Sequence, residues 1–380
     1  MLNFFCPISY SKEFKKIFSI KKFPIFMGAS KKSHNYEYES LNWWINKKSG
    51  NIQIYPKVSL DKLYFKSHGS GTVGKTWKDH HKLFFQLANK YLKGNICEIG
   101  GGNNSILNKI KNFSKIKKFY SFDKNLQLKK KNKKITIIKK FFNTKYFKFN
   151  ENCKIDLVLH SHTFEHLYNP NKFLNDVKSI LSKNGKHIFT MPNMKPMIQK
   201  GYANAMNFEH PFYYDEKLVD CLLIKNNFEI IKKQLFKEDH SIMYVTKLNN
   251  SLSKSYKYKF KIYSEYKKNL KLFKGMFNFW KKDIKKINKL TKKYKNIFIF
   301  GAHIFSQMMI FNGLKKKNII GILDNDKEKA NKFLYGTNLK INKPLILKTI
   351  DKPCVILRAG SYNKEIKKQL LEINNSVIIV

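Results

Sequence analysis

At 380 residues the chain is long enough for two or three domains, each with its own core. Apolar and aromatic fractions of 42% and 15% exclude a disordered protein in spite of a formal net charge of +49. No apolar run reaches about 18 residues, which argues against a membrane span.

The charge comes almost entirely from lysine: Arg358 is the only arginine. Lysine and asparagine are spread over every segment, as a genome rich in A and T imposes. Specific nucleic-acid readers lean on arginine for bidentate contacts, so the charge argues for attraction of anionic small molecules more than for a polynucleotide partner. The cysteines (Cys6, Cys97, Cys153, Cys221, Cys354) are odd in number, with no C-x-x-C. That pattern speaks against a disulfide framework or a cysteine zinc site and suits a reducing cytoplasm. Pro7 and Ser11-Lys12-Glu13 cut short the apolar start, so no signal peptide is expected.

In chain order, residues 1–80 read as a small β-rich lobe with aromatic strands around Phe23–Gly28, Trp43-Trp44 and Asn51–Tyr55. The glycine-rich loop His68–Gly74 leads into a helix over Trp77–Leu92. Trp77, His80 and His81 there read either as packing against the next domain or as part of a lid. Strands and helices then alternate over residues 81–248, the mark of a doubly wound α/β sheet. Strands are expected at Asn95–Ile99, Phe119–Asp123, Ile135–Ile138, Ile155–His162, His187–Met191, Phe228–Lys232 and Met243–Thr246. Helices are expected from near Ser105, over Pro170–Leu181 and over Asp215–Asn226, with a turn at Lys183–Lys186. Residues 249–294 read as a connecting helix whose aromatic stripe is a packing face. From 295 to 380 the alternation restarts as a second, smaller Rossmann-like domain.

The chemistry concentrates where strands end. Glu98-Ile99-Gly100-Gly101-Gly102 is a strand running into clustered glycines, which brings backbone N–H groups close to a ligand. Asp123 closes the next strand, where an acid can bind a ribose hydroxyl pair. A Lys-Ser/Thr pair is missing, and Glu98 would repel a pyrophosphate. The expected ligand is therefore a nucleoside with a cationic or zwitterionic tail. Further polar groups fall at strand ends or loops: His160, His162, Glu165-His166, Asn193, Asn207 and Glu209-His210. Glu209-His210 reads as a base poised near neutrality or as an ordinary salt-bridged pair. Asp239-His240-Ser241 reads as a second polar contributor or as a turn, and no metal is expected.

The motifs Glu98–Gly102, Asp123, Ile155–Val158 and Phe164-Glu165-His166-Leu167 resemble those of class I S-adenosylmethionine-dependent methyltransferases. The domain order, with Asn207-Phe208-Glu209-His210 and Phe300-Gly301-Ala302…Gly321-Ile322-Leu323-Asp324, resembles the C-methyltransferases of nucleotide-linked keto sugars. The resemblance implies S-adenosyl-L-methionine held by Glu98, Gly100, Gly101, Gly102, Asp123, Phe142, Asn143 and His160. It implies an acceptor held by Tyr64, His68, His162, Asn193, Asn207 and Gly301. His210, tuned by Glu209, would be the base, with His240 in a segment where the family carries a polar catalytic stretch. Two features depart from that family. Its four zinc cysteines are reduced to Cys6, so no zinc is expected, and its tyrosine-rich sugar-facing loop is only partly matched by Leu63–His68. Methylation at a carbon of a nucleotide-linked keto sugar for surface glycans is the leading expectation, with oxygen methylation of a sugar or other small molecule as its alternative. A nucleic-acid methyltransferase and a non-catalytic scaffold are the competing ones, and the chain would be a cytoplasmic monomer or homodimer.

Overall fold

The computed structural model describes residues 4–64, 74–102, 105–124, 132–147, 154–249, 251 and 265–380. The N-terminal strands are β1 (Phe14–Pro24), β2 (Ala29–Ser30), β3 (Tyr38–Asn46) and β4 (Ile52–Ile54). An antiparallel sheet β1-β3-β4 is built from them. Alternation along β3 drives Leu41, Trp43 and Ile45 to 0% exposure. The short helix α1 (Leu60–Leu63) and the longer α2 (Lys75–Asn89) follow. His80 and His81 of α2 are buried, and Trp77 and His81 also line the cleft described below.

The central sheet contains β5 (Gly94–Ile99), β6 (Ile116–Phe122), β7 (Ile135–Ile138), β8 (Ile155–Ser161), β9 (Leu181–Pro192), β10 (Phe228–Lys237) and β11 (Ser241–Leu248). Its order is β10-β11-β9-β8-β5-β6-β7, parallel apart from β11, which runs antiparallel to both of its neighbours. The middle strands β5 and β8 are covered on both faces, which is why they read as nearly continuous apolar runs. From β5 the chain winds out through β6 and β7, then returns to β8 on the other side. The carboxyl ends of β5 and β8 therefore flank a topological switch point, where such sheets bind ligands.

The helices here are α3 (Pro170–Ile180), α4 (Met194–Gln199) and α5 (Glu216–Lys225). Two local expectations change. The helix expected from Ser105 is only a 3-10 turn over Ile106–Lys109, because β6 already begins at Ile116. The turn expected at Lys183–Lys186 is a bulge inside β9. Ile155 pairs with Leu181 and Leu157 with Lys186, so the excess residues loop out between those pairs.

The connecting helix α6 (Tyr266–Leu290) leads to β12 (Ile297–Phe300), α7 (Ile304–Phe311), β13 (Ile319–Leu323), β14 (Phe333–Leu334), β15 (Ile341–Asn342), β16 (Cys354–Leu357), α8 (Asn363–Ile373) and β17 (Ile378–Ile379). A second parallel sheet, β15-β13-β12-β16-β17, results. The aromatic stripe of α6 packs as expected, with Phe277 stacked on Phe18 at 4.1 Å between ring centres. Arg358 forms two 2.7 Å bonds to the carboxylate of Asp283, clamping this sheet to α6. The single arginine is thus a structural fork.

Candidate active site

The glycine loop after β5 is shaped by what a side chain would strike. Gly100 has φ +68°, and a Cβ there would come within 2.5 Å of Thr163 Oγ1. A Cβ on Gly101 would meet the Glu98 carboxyl carbon at 2.8 Å. Glu98 is 3% exposed; one oxygen accepts from the Ile106 N–H at 2.7 Å and the other bonds the Ser105 hydroxyl. Burial pushes its carboxyl up to about 7 against the lowering pull of those bonds. Asp123, just past β6, accepts from the Gly102 N–H at 3.0 Å.

This loop opens into a cleft of about 1140 Å³ that continues past the carboxyl ends of β5 and β8 to the second parallel sheet. Glu98, Gly100–Gly102, Asp123 and Phe142 line it at one end. Tyr64, His162, Asn207, Glu209, His210 and His240 line its middle, and Gly301 lies at the far end.

Three expected residues are elsewhere. His160 is 1% exposed and pairs its Nε2 with Nε2 of His187 at 2.9 Å inside the core. It lies on β8 one residue before the strand's last, Ser161, and faces the interior. Asn143 caps the 3-10 turn after β7 by accepting from the Lys145 N–H. Asn193 donates its amide to the Glu238 carbonyl at 2.8 Å, outside the cleft lining. His68 lies outside the described residues.

Two imidazoles and a carboxylate meet midway along the cleft. Glu165, His166 and His210 each bring one donor atom within 4.8 Å of the other two. His210 Nδ1 donates to the Asn204 carbonyl at 2.7 Å, which orients the ring. His166 Nδ1 is 3.1 Å from the Glu209 carbonyl and 2.7 Å from the Tyr64 hydroxyl. A carbonyl can only accept, which puts a proton on Nδ1 of each ring, so that in the neutral ring Nε2 carries the lone pair. Burial alone would raise the Glu165 carboxyl; the imidazoles of His162, His166 and His210 outweigh it and bring it below the usual range.

From Glu165 a line of bonds runs to the second sheet. Glu165 Oε1 takes His162 Nδ1 at 3.0 Å, and His162 Nε2 meets Ser241 Oγ at 2.9 Å. Ser241 Oγ in turn lies 2.6 Å from His240 Nδ1, and His240 Nε2 lies 3.1 Å from the Tyr362 hydroxyl. His162 holds this place with φ +50°, a conformation unusual for a residue with a side chain. His240 is held down to about 3, first by burial and then by the charges of His162 and Lys237.

Residues 74–233 match the family model described as a methyltransferase domain. They are a class I S-adenosyl-L-methionine-dependent methyltransferase domain. Its cofactor is S-adenosyl-L-methionine. The cradle left by Gly100 and Gly101 and the acid at the end of β6 fit that group. The chain is similar to an S-adenosylmethionine-dependent methyltransferase from Clostridium acetobutylicum, at 13% identity over 50% of this chain and 96% of that one, TM-score 0.34. It is similar to another from Mesorhizobium loti, at 11% identity over 47% and 100%, TM-score 0.36. A third is magnesium protoporphyrin IX methyltransferase from Synechocystis with bound SAH, at 14% identity over 48% and 90%, TM-score 0.35. No curated protein matches the sequence. Among the described residues, no helix of this methyltransferase-bearing chain is long and apolar enough to cross a membrane.

The sequence assigned no role to Asn204, Tyr362 or Thr163, which orient the site. No motif marks them, because each acts through a contact with a residue distant in sequence or through a backbone atom. Glu165 and His166 were visible as a strand-end pair; their meeting with His210 depends on the loop that carries Asn204.

Proposed function

We propose that the chain transfers a methyl group to a sugar linked to a nucleotide, a keto sugar in the first instance, in surface glycan assembly. The observation that carries this reading is the continuity of one cleft. It joins the glycine loop and Asp123, the Glu165–His166–His210 corner and the glycine turn of the second parallel sheet. A cofactor at one end and a nucleotide at the other would place an acceptor at the corner between them. The second unit supports a nucleotide because it repeats the device of the first. Asp324 after β13 accepts from the Ala302 N–H at 2.7 Å, as Asp123 does from Gly102.

The bound cofactor supplies an electrophilic methyl group on a sulfonium. Glu98 orders the glycine loop, Asp123 would bind the ribose, and Phe142 would pack against the adenine. Tyr64, whose hydroxyl is kept protonated by burial and by the charge of Glu209, donates toward the acceptor's side of the corner. His210 is the group placed to receive the acceptor's proton, and fixing its ring in advance supplies much of the rate advantage. With a hydroxyl in place of the α-carbon, the same corner would serve oxygen methylation.

A thermal-shift titration with S-adenosylhomocysteine, followed by a panel of nucleoside diphosphates, tests the reading. A ligand at a hundred times its Kd stabilises by about 2.7 kcal/mol. A shift with S-adenosylhomocysteine and a further shift with one diphosphate would support it. A cofactor shift with no response to any diphosphate would remove the nucleotide-linked acceptor.

A further inference from the structure

The corner midway along the cleft has the chemistry of a metal site. Its three groups are two imidazoles and a carboxylate, each with one ligand atom within 4.8 Å of the others. In first-row metal sites, bonds to nitrogen and oxygen run about 2.0–2.2 Å, so ligands on one ion stand roughly 3–3.5 Å apart. Side-chain rotations of about an ångström would close the set around one ion.

Two further observations point to a ligand. Glu165 is 1% exposed, and its Oε2 has no hydrogen-bond partner although Oε1 is bonded to His162. A buried carboxylate oxygen left without a donor is unfavourable, and a cation would remove that penalty. The second observation is the outer layer. Both imidazoles place Nδ1 against a backbone carbonyl, Asn204 for His210 and Glu209 for His166. Metal-binding histidines are fixed in this way, because the carbonyl settles the tautomer and raises the basicity of the other nitrogen. The His162–Glu165 bond does the same for the carboxylate.

We propose that Glu165, His166 and His210 bind one divalent first-row transition metal ion whose open positions face the acceptor part of the cleft. Two histidines and one carboxylate suit iron(II), manganese or zinc, and three protein ligands leave room for substrate oxygens. An acceptor with two adjacent oxygens, a vicinal diol or a hydroxyketone, fits such an ion as a chelate. The ion would polarise the oxygen next to the reacting atom. The inference rests on the reading of this corner as the acceptor's seat and goes beyond it. An ion and a proton compete for the same lone pair on His210, so in the loaded form His210 would hold the ion in place of acting as base, and the acceptor's proton, made more acidic by the ion, would pass to water in the cleft. The absence of the four zinc cysteines does not bear on this set, which uses none of them.

The test is a titration of the purified full chain, stripped with chelator, with Co²⁺ followed by visible absorbance and with Zn²⁺ followed by calorimetry. The expected result is saturation at about one ion per chain. Glu165→Gln, His166→Ala and His210→Ala should each weaken binding at least tenfold, and His162→Ala, in the outer layer, about 10–100-fold. S-adenosylhomocysteine binding, measured on every variant, shows whether the fold and cofactor end are intact. No saturable binding to a chain that still binds S-adenosylhomocysteine would overturn the metal site alone. Binding that survives the triple variant, held by other histidines, would overturn it equally. Failure to bind S-adenosylhomocysteine would instead count against the methyl-transfer reading, whatever the metal does.

Discussion

The Tyr362 hydroxyl lies 3.1 Å from Nε2 of His240, joining the second parallel sheet's domain to the methyltransferase domain. Every member of the line that starts there can donate in one direction. Tyr362 donates to His240, His240 Nδ1 to Ser241, Ser241 to His162, and His162 Nδ1 to the carboxylate of Glu165. Tyr362→Phe removes the first donor and leaves a buried imidazole nitrogen without a partner. That should cost about 1–3 kcal/mol and lower Tm by a few degrees. Calorimetry of the variant checks this; a Tm equal to wild type would show that His240 finds another donor, such as water.

Asp123 gives a prediction on the cofactor. Its Oδ2 accepts from the Gly102 N–H, so the side chain fixes the glycine loop. Asp123→Ala should lose about 2–4 kcal/mol of S-adenosylhomocysteine affinity, while Asp123→Asn should keep part of it through the remaining carbonyl oxygen. Calorimetric titration separates the two. Equal affinity in all three proteins would remove Asp123 from the cofactor site.

Much of this arrangement was legible in the sequence, for identifiable reasons. The run Asn95–Gly102 and the acid at Asp123 are local patterns, and a strand ending in glycine before an acid-tipped strand admits few folds. The stripe Phe273, Phe277, Trp280 gave α6 its packing face by period alone. His160 misled because a strand's end does not say which face its last residues take. Ser161, His162 and Thr163 line the cleft, whereas His160 turns into the core beside His187. His210 has a partner that the sequence could not show, the carbonyl of Asn204 six positions earlier. Backbone acceptors carry no signature in residue type.

Glu365 shows how one domain completes an element of another. Gly74 offers no side-chain cap to α2, and Glu365 of α8 takes that place by accepting from the Lys75 N–H at 3.0 Å. A carboxylate there also meets the positive end of the helix dipole. Glu365→Ala should cost about 0.5–2 kcal/mol. Its signature is faster hydrogen exchange confined to the first turn of α2, measured against wild type. Unchanged exchange there would mean that solvent caps the helix equally well.

Acid should destabilise the protein through its buried imidazoles. Burial, as the largest cause, holds His80 and His160 far below the ordinary histidine range, His81 down to about 4, and His187 and His240 down to about 3. All five stay neutral in the fold, while the unfolded chain takes up protons below about 6.5. Stability from these groups is therefore present above pH ~6.5 and is lost as pH falls toward the folded values. The loss is up to about 1.4 kcal/mol per pH unit for each imidazole. Glu98 acts in the opposite sense. Its carboxyl is raised to about 7, so its contribution is complete below an unfolded value near 4.5 and is lost as pH rises through about 7. Five groups outweigh one, so the urea midpoint should fall steeply from pH 7 to pH 5.5. A midpoint that stays flat or rises over that interval would mean that the histidine cluster takes up protons without unfolding, and the dry core around His160 and His187 would have to admit water.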